Sequence, residues 1–82
     1  MLKGIIRGNI VSTRKQESLV GSKFMEVELI ENGALTKKFI VAIDSVGAGI
    51  GETVLITTGS SARLALRTAD VPTDAAIVGI VD

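Results

Sequence analysis

Lys23-Phe24-Met25-Glu26-Val27-Glu28-Leu29-Ile30-Glu31-Asn32-Gly33-Ala34-Leu35 reads as one strand, a tight turn and the start of a second strand. Met25, Val27 and Leu29 alternate with Glu26 and Glu28, the period of two that marks a strand with one apolar and one solvated face. Asn32-Gly33 supplies the two positive-φ positions of a two-residue hairpin. The returning strand, residues 35–43, begins polar at Thr36, Lys37 and Lys38 and ends Phe39-Ile40-Val41-Ala42-Ile43, apolar on both faces. A strand of that kind needs a second surface to cover it.

Outward from this hairpin, residues 2–12 alternate again, with Leu2, Ile6 and Ile10 opposite Lys3, Arg7 and Asn9. Gly4 and Gly8 share the apolar face, which points to a bend or to the close approach of another backbone. Residues 13–22 are polar and read as a surface loop. Beyond the hairpin, residues 44–52 are rich in turn formers, and residues 53–58 form a short strand around Val54, Leu55 and Ile56. Residues 59–67 read as a short helix, with Ser60 or Ser61 as N-cap. Residues 70–74 turn the chain at Pro72, and residues 75–81 read as a fully buried strand. This pattern predicts an all-β, five-stranded, OB-like antiparallel barrel, closed or nearly so, with one short helix between strands 4 and 5 and with residues 1–82 as a single domain.

Composition bounds what such a barrel can do. The 82 residues include neither Cys nor His, which leaves no thiolate nucleophile, no imidazole base and no zinc site of the usual ligands. No catalytic, cofactor-binding or metal-binding residues are expected. Nine Lys and Arg balance nine Asp and Glu, and Phe24 and Phe39 are the only aromatics. An OB-type surface for single-stranded nucleic acid, the rival reading of the fold, would want a basic groove and stacking rings. No apolar run is long enough to span a bilayer, and the N-terminal residues lack the unbroken apolar stretch of a signal peptide, so neither a membrane partner nor export is expected. A core without large rings, disulfides or metal gives a domain of this size only about 3–5 kcal/mol. Both faces of strands 3 and 5 are apolar, so self-association is the expected further source of stability.

Gly47-Ala48-Gly49-Ile50-Gly51-Glu52 invites a dinucleotide reading. It fails because Glu52 stands where the fingerprint wants a small residue, and because residues 53–58 continue as strand and offer no helix N-terminus to a pyrophosphate. Three glycines in five positions still imply backbone conformations closed to other residues, or a second chain approaching closely. Gly59-Ser60-Ser61-Ala62-Arg63 could bind an anion at a helix start, giving a small-molecule or anion-binding enzyme as a further rival; simple capping with Arg63 paired to a carboxylate explains it as well. Asp44, Asp70, Asp74 and Asp82 fall at strand ends and turns, where Asp is favoured through hydrogen bonds to its own backbone.

Residues 44–55, DSVGAGIGETVL, then 59–63, GSSAR, then 72–82, PTDAAIVGIVD, resemble in order and spacing the pentameric vertex proteins of bacterial microcompartments. That family includes the carboxysome and ethanolamine-utilisation vertex proteins. Gly8-Asn9-Ile10-Val11-Ser12-Thr13-Arg14-Lys15 and Leu19-Val20-Gly21-Ser22-Lys23-Phe24 are similar to its first strand, loop and second strand, so the resemblance covers nearly the whole chain. It implies a cyclic homopentamer that caps the five-fold corners of a polyhedral shell in the bacterial cytosol and meets hexameric shell proteins at its rim. It places Val46, Gly47, Ala48, Gly49, Ile50 and Gly51 toward the five-fold axis, around a narrow opening. Gly59, Ser60, Ser61, Arg63 and Asp74 are then candidates for the contact between subunits. Many members continue with a short extension where this sequence ends at Asp82, so the contacts of that extension do not carry over.

Overall fold

A computed structural model of the protein describes residues 1–11, 23–59, 62 and 74–82. Strands β1 (Leu2–Ile10), β2 (Phe24–Glu31), β3 (Ala34–Asp44), β4 (Thr53–Thr58) and β5 (Ala75–Val81) close into a barrel in the order β1-β2-β3-β5-β4. The β2–β3 turn forms as its sequence requires, with Asn32 at φ 53° and Gly33 at φ 77°. Inward side chains give an aliphatic core: Ile6, Met25, Val27, Val54, Ile56 and Ile77 are each at most 1% exposed. Full burial of each such side chain contributes about 1.5–3 kcal/mol, which makes this row the main stabilising element of the protomer.

Four expectations are corrected. The barrel is not wholly antiparallel, because β3 and β5 pair in parallel at Ile43↔Ala76 and Asp44↔Ile77. Strand directions cannot alternate all the way round a closed ring with an odd number of strands, so five strands force one parallel seam. β5 is not fully buried: Ala75, Ala76 and Ile77 are, while Ile80 and Val81 are 37% and 41% exposed where the strand runs out past the end of β3. Leu2, expected on the core face, lies beyond the last β1–β2 pair, Lys3↔Ile30, and is exposed. Glu28 sits on the outer face as the alternation requires, yet it is buried. The short helix expected over residues 59–67 lies outside the described residues apart from Gly59 and Ala62, the latter wholly buried. Also outside them are the loop at 13–22 and the turn at 70–73.

The two β1 glycines play different parts. A Cβ at Gly4 would fall 2.5 Å from Val27 Cγ1 and 2.7 Å from the Glu28 carbonyl oxygen, so β1 crosses β2 at a distance only glycine permits. Gly8 has open space beside it and follows a β-bulge between Ile6 and Gly8, which leaves Arg7 without a β2 partner and bends the strand.

Candidate functional site

The loop from β3 to β4 is held at every turn by its own residues. The Asp44 carboxylate is almost wholly buried, and its Oδ1 accepts the Val46 and Gly47 N–H groups at 3.0 and 3.1 Å. Its Oδ2 lies 3.8 Å from Lys23 Nζ. Ser45 donates through both N–H and Oγ to the Ile77 carbonyl, at 3.3 and 2.6 Å, tying the loop to β5. Glu52 Oε1 accepts the Gly49 N–H at 2.6 Å. The far end docks on β1: Gly51 N–H donates to the Ile6 carbonyl at 2.8 Å, and Ile6 N–H donates to the Glu52 carbonyl at 3.0 Å.

This geometry sorts the six loop candidates. Ala48 is 1% exposed and joins the barrel core, where it anchors the loop. Val46 and Ile50, on either side of it, are 41% and 62% exposed. Gly47 and Gly51 have φ of 79° and 90°, and a Cβ at either would meet nothing within 4 Å. Within one protomer, then, backbone conformation and not lack of space requires glycine at these two positions. The chain continues from Gly51 and Glu52 into β4, so the glycines precede a strand and not a helix. Of the other candidates, Gly59 (φ 67°) and Asp74 are brought together, with Gly59 N–H donating to the Asp74 carbonyl at 2.8 Å. Ser60, Ser61 and Arg63 lie outside the described residues.

A second constellation was missed in the sequence. Glu28 Oε1 accepts Arg7 Nε–H at 3.0 Å, and its Oε2 accepts the Lys37 N–H at 3.1 Å. Lys37 is in the left-handed region at φ 60°. Between the pairs Glu28↔Phe39 and Ile30↔Leu35, Leu29 alone stands opposite Thr36, Lys37 and Lys38. Thr36 Oγ1 stabilises the bulge by donating to the Leu29 carbonyl at 2.8 Å and accepting the Lys38 N–H at 3.1 Å. Three successive polar residues where a strand should alternate were the available signal for this bulge. Just past it, Phe39 and Val41 project from the outer face, each 51% exposed. What these groups form is a rigid barrel with large apolar side chains turned outward, an arrangement suited to docking on other proteins.

The family described as "Ethanolamine utilisation protein EutN/carboxysome" matches residues 1–82. The chain is 44% identical over 80 residues to the carboxysome shell vertex protein CcmL of Gloeobacter violaceus, covering 96% of this chain and 80% of that protein. It is 43% identical over 83 aligned positions to the bacterial microcompartment shell vertex protein EutN of Salmonella typhimurium, covering 100% and 84%. Among solved structures, the GrpN pentameric microcompartment shell protein from Rhodospirillum rubrum superposes with a TM-score of 0.87 at 42% identity, covering 100% of this chain and 93% of that one. The relatives are structural shell proteins and not enzymes. With its sequence matched from end to end and its barrel superposed on theirs, the chain belongs to the EutN/carboxysome family of microcompartment shell vertex proteins.

Proposed function

We propose that this chain, a single domain over residues 1–82, assembles as a homopentamer that caps the five-fold vertices of a microcompartment shell in a bacterial cytosol. The observation that carries the reading is the match over the whole chain to shell vertex proteins, together with a solved relative described as pentameric. The exposed side chains of Phe39, Val41, Ile50 and Val81 give it a physical basis, since a small barrel that leaves such groups in water gains by covering them with copies of itself. A flat sheet of six-fold tiles cannot close on itself, and five-fold units at the corners supply the missing curvature. The ring therefore meets hexameric shell proteins at its rim. The exposed part of the glycine loop, Val46 and Ile50, faces the five-fold axis, and the segment around Gly59, Ser60, Ser61, Arg63 and Asp74 contributes to the subunit contact.

Native mass determination of the full chain tests this directly. The expected species has five times the 8.5 kDa protomer mass. A monomer or dimer at micromolar protein overturns the reading. In a host that encodes no substitute vertex protein, deletion of the gene is expected to leave shells elongated or unclosed; normal closed shells would count decisively against the role.

A further inference from the structure

The tip of the β2–β3 hairpin sets side by side two groups that can react with each other. Asn32 and Gly33 are both exposed, as are Glu31 and Ala34 on either side. Among the described residues the Asn32 carboxamide has no hydrogen-bond partner, and the Gly33 N–H donates to no backbone carbonyl. A Cβ at Gly33 would meet nothing within 4 Å, so no neighbour crowds the turn. Only the pairs Glu31↔Ala34 and Ile30↔Leu35 lie between the turn and the bulge opposite Leu29, and beyond them Glu28 holds the Lys37 N–H. Opening the tip therefore breaks little structure, and the clamp on β3 need not follow. Asn9, the other asparagine of the chain, is also exposed, but it pairs with Met25 inside β1 and is followed by the β-branched Ile10.

We propose that Asn32-Gly33 is a site of spontaneous covalent modification, at which water converts the asparagine into aspartate and isoaspartate. When the tip opens, the Gly33 main-chain nitrogen loses its proton and bonds to Asn32 Cγ. The bond from Cγ to the carboxamide nitrogen breaks, and that nitrogen leaves with the proton as ammonia. A cyclic succinimide remains, and water opens it. Addition at Cγ breaks the bond from Cγ to the Gly33 nitrogen and gives aspartate. Addition at the main-chain carbonyl carbon leaves that nitrogen on Cγ, so the chain runs on through the side chain as isoaspartate. No electrons change hands: amide and water become carboxylic acid and ammonia. Glycine puts no side chain in the way of its own nitrogen, whereas Ile10 shields the nitrogen that would attack Asn9. Aspartate tolerates the left-handed φ of 53° found at Asn32, so that product keeps the turn. Isoaspartate adds a methylene to the main chain of a two-residue loop and does not fit it. The added length is taken up in the pairs Glu31↔Ala34 and Ile30↔Leu35, ahead of the Glu28 clamp, which leaves the pair Glu28↔Phe39 in place.

Ageing the full chain in neutral and mildly alkaline buffer, in whatever assembly it forms, tests the site. Intact mass and peptide mapping follow the loss of the amide, and methylation by a protein-isoaspartate methyltransferase detects isoaspartate. Wild type is expected to convert at Asn32, faster as pH rises because the Gly33 amide must lose its proton, while Asn9 stays unmodified. Asn32→Gly keeps a turn-forming pair without the carboxamide, and its hairpin peptide is expected to show neither the mass gain nor the methylation. The rate in the folded protein is expected to lie within roughly 30-fold of that in a free peptide of residues 29–36, as a locally opening tip allows. A slower rate in the folded protein overturns the site. So does conversion of Asn9 as fast as that of Asn32, or methylation of the hairpin peptide that persists in Asn32→Gly. The outcome is separate from the pentamer reading: a monomer whose tip converts keeps the site, and a pentamer whose tip stays unmodified removes the site alone.

Discussion

β3 leaves regular geometry at both of its ends, and it does so by opposite means. At the end that follows the hairpin, Lys37 takes a left-handed conformation that a side chain resists, and a buried carboxylate, Glu28, holds it there. At the other end, Gly47 and Gly51 take positive φ without resistance, and Asp44 and Glu52 need only tie down a backbone already free to bend. Both devices end on adjacent residues of β1, the clamp at Arg7 and the glycine loop at Ile6. Arg7 sits in the bulge between Ile6 and Gly8, where it has no β2 partner, while Ile6 offers its backbone to the loop. Where strain is imposed on an ordinary residue, a long-range polar contact has to carry it. Where glycine removes the strain, Asp44 and Glu52 fix the turns locally, and the long-range bonds to Ile77 and Ile6 serve to dock the loop on the barrel.

The largest effect is expected where β1 itself is displaced, because both devices hang from it. Gly4→Ala places a Cβ 2.5 Å from Val27 Cγ1 and 2.7 Å from a backbone oxygen that cannot swing away. Overpacking of this kind costs about 3 kcal/mol, slightly offset by the lower entropy of the unfolded chain. Urea unfolding at a fixed protomer concentration is expected to show that loss, since assembly adds a concentration-dependent share to stability. A substitution that left the midpoint unchanged would mean that β1 and β2 can part without disturbing either device.

Breaking the clamp alone comes next. Glu28→Ala removes the acceptor of a part-buried Lys37 N–H and leaves Arg7 unpaired. Arg7 is 40% exposed and can return to water, so the loss falls below that of a fully buried pair, at about 2 kcal/mol. Glu28→Gln, which keeps an acceptor for the Lys37 N–H, is expected to lose roughly half as much. If both variants unfold at the wild-type urea concentration, the clamp does not hold the bulge and Lys37 keeps its conformation for another reason.

The two ends of β3 also differ in how plainly they can be read from residues alone. Glycine spacing, Asp at a strand end and the Asn32-Gly33 pair are local signals, and the loop, the hairpin and the strand boundaries of β4 and β5 followed from them. Alternation placed Ile6, Met25 and Val27 inside. The burial of Glu28 was not legible, because it depends on Arg7, 21 residues away, and on a bulge that brings the Lys37 N–H to the carboxylate. Nor was the half exposure of β5 legible: a run of apolar residues looks the same whether its own barrel or a neighbouring copy covers it. Ala48 shows the same limit within a motif, since the glycines around it announced a loop but not that the alanine between them would join the core.

The smallest effects test the contrast most sharply, because they have opposite signs. Gly51→Ala puts a Cβ on a residue at φ 90°, with open space around it, so its cost is conformational and amounts to about 1.5 kcal/mol. Lys37→Gly does the reverse: at φ 60° it relieves the strain on an exposed lysine while keeping the N–H that Glu28 accepts. Relief of about 1 kcal/mol is partly cancelled by the greater freedom of glycine in the unfolded chain, leaving a gain of about 0.5 kcal/mol. Combining Lys37→Gly with Glu28→Ala separates strain from desolvation. If the clamp acts mainly by holding a strained backbone, glycine recovers part of the Glu28→Ala loss; if the penalty comes from the orphaned N–H and the freed Arg7, the two changes add without coupling. Recovery of more than the roughly 0.5 kcal/mol that glycine contributes alone identifies conformational strain as what the buried carboxylate is there to offset.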